Sequence, residues 1–199
     1  MIHPTAVAPF VIEPLDPARH DRAAFSCGVD QVDNFFRKTA NKLAKADNLR
    51  VFALAETAGA LVGFYALNAH SVNYQALPAK FAKTRPGHGM IPAVYISMIG
   101  VDERFQGKGL GGDLLVDGLR RIAAVADQLG IAVVMLDVLD CGAPDRVAKR
   151  KTLCEGYGFE PLSSNPLRLF LPMATVRALI ESDDRLVAQG EGAQRIGAP

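Results

Sequence analysis

The stretch RFQGKGLGG, residues Arg104–Gly112, decides the fold prediction because it joins two segments of contrasting pattern. Before it, residues 93–101 form a near-continuous apolar run, which is typical of a strand covered on both faces. After it, residues 110–129 place apolar side chains at helical spacing, and Gly130 follows as a stop signal. A second apolar run at residues 131–138 completes a strand–helix–strand unit, which favours parallel pairing of the two strands.

The segments outside this unit alternate between strand and helix patterns, so the predicted class is mixed α/β, or α+β. On the amino-terminal side we predict a strand at 10–15, a helix at 29–45, two hairpin strands at 49–56 and 60–72, and a short helix at 77–83. On the carboxy-terminal side we predict a helix at 145–155, strands at 158–162 and 167–171, and a helix at 174–182. The charge-rich residues 183–199 indicate a flexible tail after a single domain that spans residues 1–182.

The composition excludes several classes of protein. With 199 residues, 49% of them apolar and 22% charged, the chain has the make-up of one globular domain rather than a disordered or fibrous protein. Lys and Arg (22) nearly balance Asp and Glu (21), which argues against a bulk cationic coat for nucleic acid or membranes. The three cysteines have unrelated spacings, and the sequence contains neither a cluster of metal-ligand residues nor an apolar run long enough to span a membrane. We therefore predict a cytoplasmic protein without metal or membrane partners.

The glycine-rich turn is the segment of the sequence that indicates a ligand-binding site. Free backbone N–H groups at a helix N-terminus, with glycines that allow close approach, form a site for an anion. The GxxxxGK[ST] pattern of a Walker loop is absent, and the G-x-G-x-x-G spacing of a dinucleotide-binding turn is absent too. The alternative is a glycine-rich turn between strand and helix that binds no ligand.

In its setting between strand and helix, this turn resembles the R-x-x-G-x-G pyrophosphate loop of the GCN5-related N-acetyltransferases (GNAT). The resemblance implies the GNAT fold: a mixed, mostly antiparallel sheet with helices on both faces, split beside one parallel pair of strands. It also implies acetyl-CoA as cosubstrate and a backbone N–H at Ile99 or Gly100 that polarises the thioester carbonyl. The residues implied in acetyl-CoA binding are Ile99, Gly100, Val101, Gln106, Gly107, Lys108, Gly109, Leu110, Gly111 and Gly112.

Further segments resemble one branch of the GNAT proteins, the toxins of toxin–antitoxin modules. These segments are FSCG at 25–28 with VDNFF at 32–36, GFYAL at 63–67, GFEPL at 158–162 and LFLPM at 169–173. The resemblance implies transfer of acetyl to the α-amino group of an aminoacyl-tRNA, a ribbon-helix-helix antitoxin as partner, and a homodimer. Two alternatives are an N-acetyltransferase for a small amine or protein amine and a catalytically weak acyl-CoA-binding protein.

Two positions depart from the toxin pattern. The strand end reads MIGVD at 98–102 where the toxins usually have RLAVD, so a basic group near the acceptor channel is missing. The general-acid tyrosine of the motif F-Y-x-x-[FY]-G-F corresponds to Cys154, and Tyr157 matches the second aromatic position. Three interpretations follow: Cys154 is the acid, or water, Tyr157 or Ser97 serves instead, or the enzyme is slow or uses another acceptor.

Two basic clusters are candidates for phosphate contact with tRNA, although such faces are often only solvated helix surface. Their members are Arg37, Lys38, Lys42, Lys45 and Arg50 in one cluster, and Lys149, Arg150 and Lys151 in the other. The second cluster could instead hold the 3′-phosphate of CoA or an acidic segment of an antitoxin. Asp137 and Asp140 are candidates for a base, but an Asp at a strand end often caps the next turn.

Overall fold

A computed structural model describes residues 10–56 and 59–188, and these residues form a seven-stranded sheet with helices on both faces. The strands are β1 (Phe10–Pro14), β2 (Arg50–Glu56), β3 (Leu61–Asn73), β4 (Met90–Val101), β5 (Val133–Asp137), β6 (Glu160–Leu162) and β7 (Asn165–Pro172). The α-helices are α1 (Asp30–Asn34), α2 (Ala40–Lys45), α3 (Leu110–Ala126), α4 (Pro144–Gly156) and α5 (Met173–Ala188). A π-helical turn (Phe35–Thr39) joins α1 to α2, and three 3₁₀ turns lie at Tyr74–Ala76, Ala79–Ala82 and Glu103–Phe105.

The strand order is β1-β2-β3-β4-β5-β7-β6, and every neighbouring pair is antiparallel except β4 with β5. That parallel pairing runs only from Ala93 opposite Val133 to Ile96 opposite Leu136. Beyond Ile96 the strand β4 continues without β5 as a partner, so the sheet is split at this point. The mostly antiparallel sheet with one parallel pair confirms the fold prediction.

A bulge at Ser97 accompanies the split. In the register of β3 with β4, Leu67 lies opposite Ile96 and Ala66 lies opposite Met98, which leaves Ser97 unpaired. The Ser97 hydroxyl donates to the Ala66 carbonyl oxygen at 3.3 Å. Because a bulge bends the strand that contains it, β4 turns away from β5 one residue after their pairing ends.

Helical segments cover both faces of the sheet. Two neighbouring residues of β3 contact them on opposite faces, because successive side chains of a strand point in opposite directions. Phe64 stacks on Phe36 of the π turn, with ring centroids 3.9 Å apart. Tyr65 faces the other way and contacts Gly118 of α3. The fully buried stripe of α3, which includes Leu114, stabilises this layer by about 1.5–3 kcal/mol per large side chain.

The amino-terminal helix differs from the single helix predicted at 29–45, because a π turn interrupts it at Phe35–Thr39. The extra residue in this turn lets Phe35 and Phe36 both stack against Phe64. The Phe36 carbonyl oxygen accepts a hydrogen bond from Arg22 Nη1 at 2.9 Å. Apolar spacing alone does not separate a π turn from a regular helix, so the prediction was wrong at this point.

Helix α5 continues to Ala188, so the flexible tail predicted from residue 183 is corrected for residues 183–188. Ion pairs hold this end of the helix, since Arg120 of α3 contacts Asp183 at 2.6 Å and Asp184 at 2.7 Å. The rest of the predicted tail, 189–199, lies outside the described residues. In the ranges that the structure describes, no helix is long and apolar enough to cross a membrane.

Candidate active site

A cavity of about 660 Å³ opens where β4 and β5 separate. Its walls come from the end of β4, the glycine-rich turn, the first turn of α3, the end of β5 and one side of α4. Ser97, the bulge residue, lines it together with Leu136 and Asp137 of β5. The break in the sheet is therefore also the place where a ligand can pass between the two strands.

Asp102 fixes the path of the chain between β4 and the glycine-rich turn. Its buried carboxylate accepts hydrogen bonds from the backbone N–H of Ser26 at 3.2 Å and of Arg104 at 3.1 Å. The Arg104 Nε also donates to it at 2.8 Å. Burial opposes ionisation of this carboxyl, but the Arg104 and Ser26 bonds outweigh it and lower the pKa of Asp102. The arginine of the motif thus serves the loop's own structure, a role that the sequence reading missed although Asp and Arg stand two residues apart.

Gln106 ties the turn to two other segments. Its side-chain amide donates to the Val101 carbonyl oxygen at 2.8 Å and to the Cys27 carbonyl oxygen at 3.0 Å. After it, Gly107 and Gly109 adopt φ angles of 79° and 81°, which side chains other than glycine rarely tolerate. The turn therefore has a defined shape that depends on its glycines.

The turn delivers backbone N–H groups to the cavity at the start of α3. Gly109 caps this helix, and its carbonyl oxygen accepts from the Gly112 N–H at 2.9 Å, which leaves the N–H groups of Leu110 and Gly111 without a carbonyl partner inside the helix. Gly107, Gly109 and Gly111 line the cavity, as do Leu110 and Gly112. The N-terminus of this 17-residue helix lines the cavity and is a favourable position for an anion.

Strand β4 contributes the opposite wall through Ile99, Gly100 and Val101. These residues also pair with β3, where Ile99 lies opposite Tyr65. A β-carbon on Gly100 would lie 3.2 Å from Val32 Cγ1, so a side chain there would press on the α1 layer. The structure thus brings all the residues predicted for acetyl-CoA, apart from Lys108, to the lining of one cavity.

Cys154 lies on α4 and lines the same cavity. Its side chain is half-buried and packs against the core cluster that includes Leu115 and Val138. Burial, and to a smaller extent the charge of Glu155, raises the pKa of Cys154 to about 11. The thiol is therefore protonated at neutral pH, as a proton donor must be.

Tyr157 follows the end of α4 and is 3% exposed. Its hydroxyl reaches the first turn of α3, where a β-carbon on Gly112 would lie 2.5 Å from the Tyr157 oxygen. Burial, with the charges of Asp113 and Asp183, raises the pKa of Tyr157. The glycine at position 112 is thus required for this tyrosine to fit.

The basic side of α4 also faces the cavity, through Arg146, Lys149 and Arg150. Arg146 donates to the Gly28 carbonyl oxygen at 3.0 Å, and Arg150 donates to Cys141 Sγ at 3.4 Å. Lys151, the third member of the predicted cluster, instead lies 3.6 Å from Glu155 in an ion pair on its own helix.

The other predicted basic cluster lies away from the cavity lining. Arg37 is half-buried, and its Nε donates to the Phe25 carbonyl oxygen at 2.8 Å while its Nη2 lies 3.4 Å from buried Asp33. Arg37 therefore holds the amino-terminal segment on α1 rather than lying on a solvated face. Arg50 pairs with Asp47 at 2.8 Å. The remaining members, Lys38, Lys42 and Lys45, are exposed.

The two candidates for a base have structural partners. Asp137 forms two hydrogen bonds of 2.7 Å with Arg168. This pairing, with a further bond from Tyr95, outweighs burial and lowers the pKa of Asp137, which makes it a weaker base. Asp140 accepts from the Gly142 backbone N–H at 3.0 Å and so caps the turn before α4.

A sheet split at the one parallel pair among the described residues, with a glycine-rich helix start facing the split, is the arrangement of the GNAT fold. Solved structures share this fold. A crystal structure of a tyrosine-to-phenylalanine mutant of KacT matches with a TM-score of 0.76 and 24% identity, covering 85% of this chain and 98% of that one. AtaT complexed with acetyl-methionyl-tRNAfMet matches with a TM-score of 0.75 and 23% identity, over 86% of this chain and 99% of that one.

Proteins of similar sequence identify the family to which the chain belongs. "Probable toxin TacT" of Sinorhizobium fredii is 62% identical over 177 residues, 88% of this chain and 98% of that protein. The "tRNA-acetylating toxin" of Mycobacterium tuberculosis is 31% identical over 160 residues, 80% of this chain and 90% of that protein. No protein-family model matches the chain. The chain belongs to the GNAT toxin family, whose enzymes are acetyltransferases.

Proposed function

We propose that this protein transfers an acetyl group from acetyl-CoA to the α-amino group of an aminoacyl-tRNA. The observation that carries the proposal is one cavity in which the glycine-rich helix start, the split strand β4 and the basic side of α4 meet. The relative named as a tRNA-acetylating toxin and the AtaT complex with acetyl-methionyl-tRNAfMet support the choice of acceptor.

The residues of the turn fit the pyrophosphate of acetyl-CoA. Glycines 107 and 109 keep the turn open at its exposed side, and no atom lies within 4 Å of where a β-carbon of Gly107 would stand. The N–H groups of Leu110 and Gly111, at the first two positions of α3, have no carbonyl partner inside the helix and can donate to an anion. We assign Gln106–Gly112 to the pyrophosphate and Ile99–Val101 to the pantetheine arm, and acetyl-CoA supplies the activated acetyl thioester.

Direct attack by an unprotonated amine requires a donor for the departing thiolate. We propose Cys154 for this role because its thiol lines the cavity and stays protonated at neutral pH. The two alternatives have other contacts: the Tyr157 hydroxyl lies against Gly112, and the Ser97 hydroxyl donates to Ala66. The Ile99 backbone N–H is our candidate for polarising the thioester carbonyl.

A tRNA acceptor carries phosphates, which basic side chains near the cavity can bind. Lys149 and Arg150 line the cavity, so we propose that they contact the acceptor end of the tRNA. Lys38, Lys42 and Lys45 are exposed on the amino-terminal helical segment and are proposed as a second contact. Charged tRNA is a cytoplasmic substrate, so we propose that the protein acts in the cytoplasm. We also propose a ribbon-helix-helix antitoxin as its partner and a homodimer as its assembly.

The test is transfer of labelled acetyl from acetyl-CoA to bulk aminoacylated tRNA, with uncharged tRNA and spermidine as controls. Label on charged tRNA alone is the expected result. Label on spermidine alone would assign the protein to acetyltransferases of small amines. Retained acetyl-CoA binding without label on any acceptor would identify a catalytically weak acyl-CoA-binding protein.

A further inference from the structure

The segment between β2 and the glycine-rich turn has an unusual charge pattern. Between Glu56 and Asp102 the sequence contains no acidic residue, whereas it contains Lys80, Lys83 and Arg85. All three cations lie in the connection between β3 and β4, which we name the β3–β4 loop (residues 74–89). This loop belongs to neither of the basic clusters that the sequence reading singled out.

The β3–β4 loop is anchored to the core of the protein. The Tyr74 backbone N–H donates to the Gly89 carbonyl oxygen at 3.1 Å and closes the loop at its base. Leu77 is 6% exposed, and the Phe81 ring packs edge-on against Phe170 of β7. These anchors hold the loop on the core cluster beneath it.

The three cations of this loop are exposed to solvent. Lys80, Lys83 and Arg85 are exposed, and none of them forms an ion pair within the described ranges 10–56 and 59–188. Two other exposed arginines differ, since Arg19 pairs with Glu13 and Arg177 pairs with Asp127. A cation without a carboxylate partner keeps its full charge for an external anion.

An aromatic ring lies among these charges. The Arg85 guanidinium stands 4.6 Å from the centre of the half-buried Tyr74 ring, and its Nη1 donates to the Ala82 carbonyl oxygen. This contact holds the arginine in place at low conformational cost. Interleaved cations and aromatic rings in a segment without acidic residues are typical of nucleic-acid contacts.

The position of the loop indicates the size of its ligand. Strand β4 begins at Met90, directly after the loop, and leads to the bulge at Ser97 in the cavity wall. Ser97 lies seven residue steps along the strand from Met90, which corresponds to roughly 23 Å at about 3.3 Å per residue. A small amine in the cavity cannot reach the loop, whereas the body of a tRNA can.

We propose that the β3–β4 loop binds the phosphate backbone of the tRNA whose aminoacyl end enters the cavity. This inference rests on the proposed function and adds a contact remote from the reacting atoms. Such a contact supplies binding energy that depends on salt and carries no base specificity. It also predicts that removing the loop's charges does not change kcat/KM for an acceptor that lacks the tRNA body.

The experiment compares wild type with a loop variant that carries Lys80→Gln, Lys83→Gln and Arg85→Gln. A matched control carries Arg19→Gln, Arg177→Gln and Arg185→Gln, which remove the same charge outside the loop: Arg19 and Arg177 pair with carboxylates, and Arg185 donates to the Glu181 carbonyl oxygen on its own helix. The affinity for uncharged bulk tRNA is measured by fluorescence anisotropy at several NaCl concentrations. Thermal melting confirms that both variants are folded.

For the loop variant we expect a Kd for tRNA about ten-fold or more above wild type, with the slope of log K against log [NaCl] reduced by roughly two to three. The control is expected to shift less in both quantities. Equal Kd and slope in the loop variant and wild type would overturn the proposal, whatever the acetylation assay gives. Unchanged tRNA binding with lost affinity for a polyglutamate peptide would overturn it in favour of an acidic protein partner.

Acetylation assays separate this inference from the proposed function. Wild type and loop variant are compared on aminoacylated tRNA and on an aminoacylated CCA trinucleotide that lacks the tRNA body. A loss of kcat/KM by the loop variant on tRNA alone supports the loop contact. Wild-type protein that binds tRNA through the loop but transfers no acetyl would contradict the proposed function and leave the binding site in place.

Discussion

The Tyr157 hydroxyl occupies the space that a side chain at Gly112 would need, with 2.5 Å between the oxygen and the position of a β-carbon. This relationship joins the end of α4 to the first turn of α3, the two helices that flank the cavity. The position of the helix start proposed to bind the pyrophosphate therefore depends on a tyrosine that follows the candidate proton donor by three residues.

Gly112→Ala is expected to destabilise the fold and to weaken acetyl-CoA binding together. The added methyl group must displace either the Tyr157 ring or the start of α3, and overpacking of this kind costs about 1–3 kcal/mol. Urea unfolding measures the loss of stability, and calorimetric titration with acetyl-CoA measures the loss of affinity.

A second substitution tests the cause. Tyr157→Phe removes the oxygen that the methyl group would meet, so the double variant is expected to regain part of the stability lost by Gly112→Ala. Additive losses in the double variant would show that the two residues do not compete for this space.

Gly109→Glu is expected to lower the affinity for acetyl-CoA by at least ten-fold. A carboxylate at the helix start repels a pyrophosphate, and the φ angle of 81° adds strain for any side chain other than glycine. Gly109→Asn is the matched control, because asparagine tolerates this backbone conformation without adding charge. Equal affinities for Glu and Asn at this position would remove the turn as the pyrophosphate site.

Cys154→Ala is expected to lower kcat for acetyl transfer by about 10²-fold or more, because positioning and backbone donors remain while the proton donor is lost. The raised pKa of about 11 implies that the wild-type thiol does not titrate between pH 6 and 9. Activity that rises with pH in this range therefore reflects the amine. CoA release measures the rate, with Cys141→Ser as control. An unchanged kcat in the alanine variant would exclude Cys154 as the donor.

Asp102→Asn is expected to lower the free energy of unfolding by about 1–3 kcal/mol at pH 7, because the buried carboxylate accepts charged and backbone hydrogen bonds. The folded-state pKa of Asp102 lies below its unfolded value of about 3.9, so its stabilising effect is present above that pH and is lost as the pH falls further.

Urea unfolding at pH 7 and near pH 3 measures this effect. The difference between wild type and Asp102→Asn is expected to shrink at the lower pH. Asp30→Asn, at an exposed position, serves as the control and is expected to change stability by less than about 0.5 kcal/mol. A difference that is the same at both pH values would contradict the ionised role of Asp102.

The sequence predicted the order and type of most elements because their apolar patterns are strong. The run at 93–101 and the helix pattern after Gly109 gave the central unit, and the structure confirms β4, α3 and β5 in that order. The π turn at Phe35–Thr39 escaped prediction because it changes hydrogen bonding without changing which side chains are apolar. The length of α5 escaped it because Arg120, distant in sequence, holds the end of that helix through Asp183 and Asp184.

For the site, the motif located the helix start but did not reveal the supporting contacts. The bonds of Asp102 with Ser26 and of Gln106 with Cys27 join residues far apart in sequence, so local pattern could not predict them. The fit of Tyr157 against Gly112 likewise depends on how two helices pack. The β3–β4 loop, in contrast, had a visible signal in the absence of acids between Glu56 and Asp102.

The central claim is that the acceptor is the α-amino group of charged tRNA. The most direct measurement is mass spectrometry of the aminoacyl-adenosine released by ribonuclease digestion, after incubation of charged tRNA with the protein and acetyl-CoA. We predict a mass increase of one acetyl group on the aminoacyl-adenosine, and a smaller acetylated fraction with Gly109→Glu at the same acetyl-CoA concentration. Unmodified aminoacyl-adenosine, with acetyl found on spermidine or on protein amines instead, would contradict it.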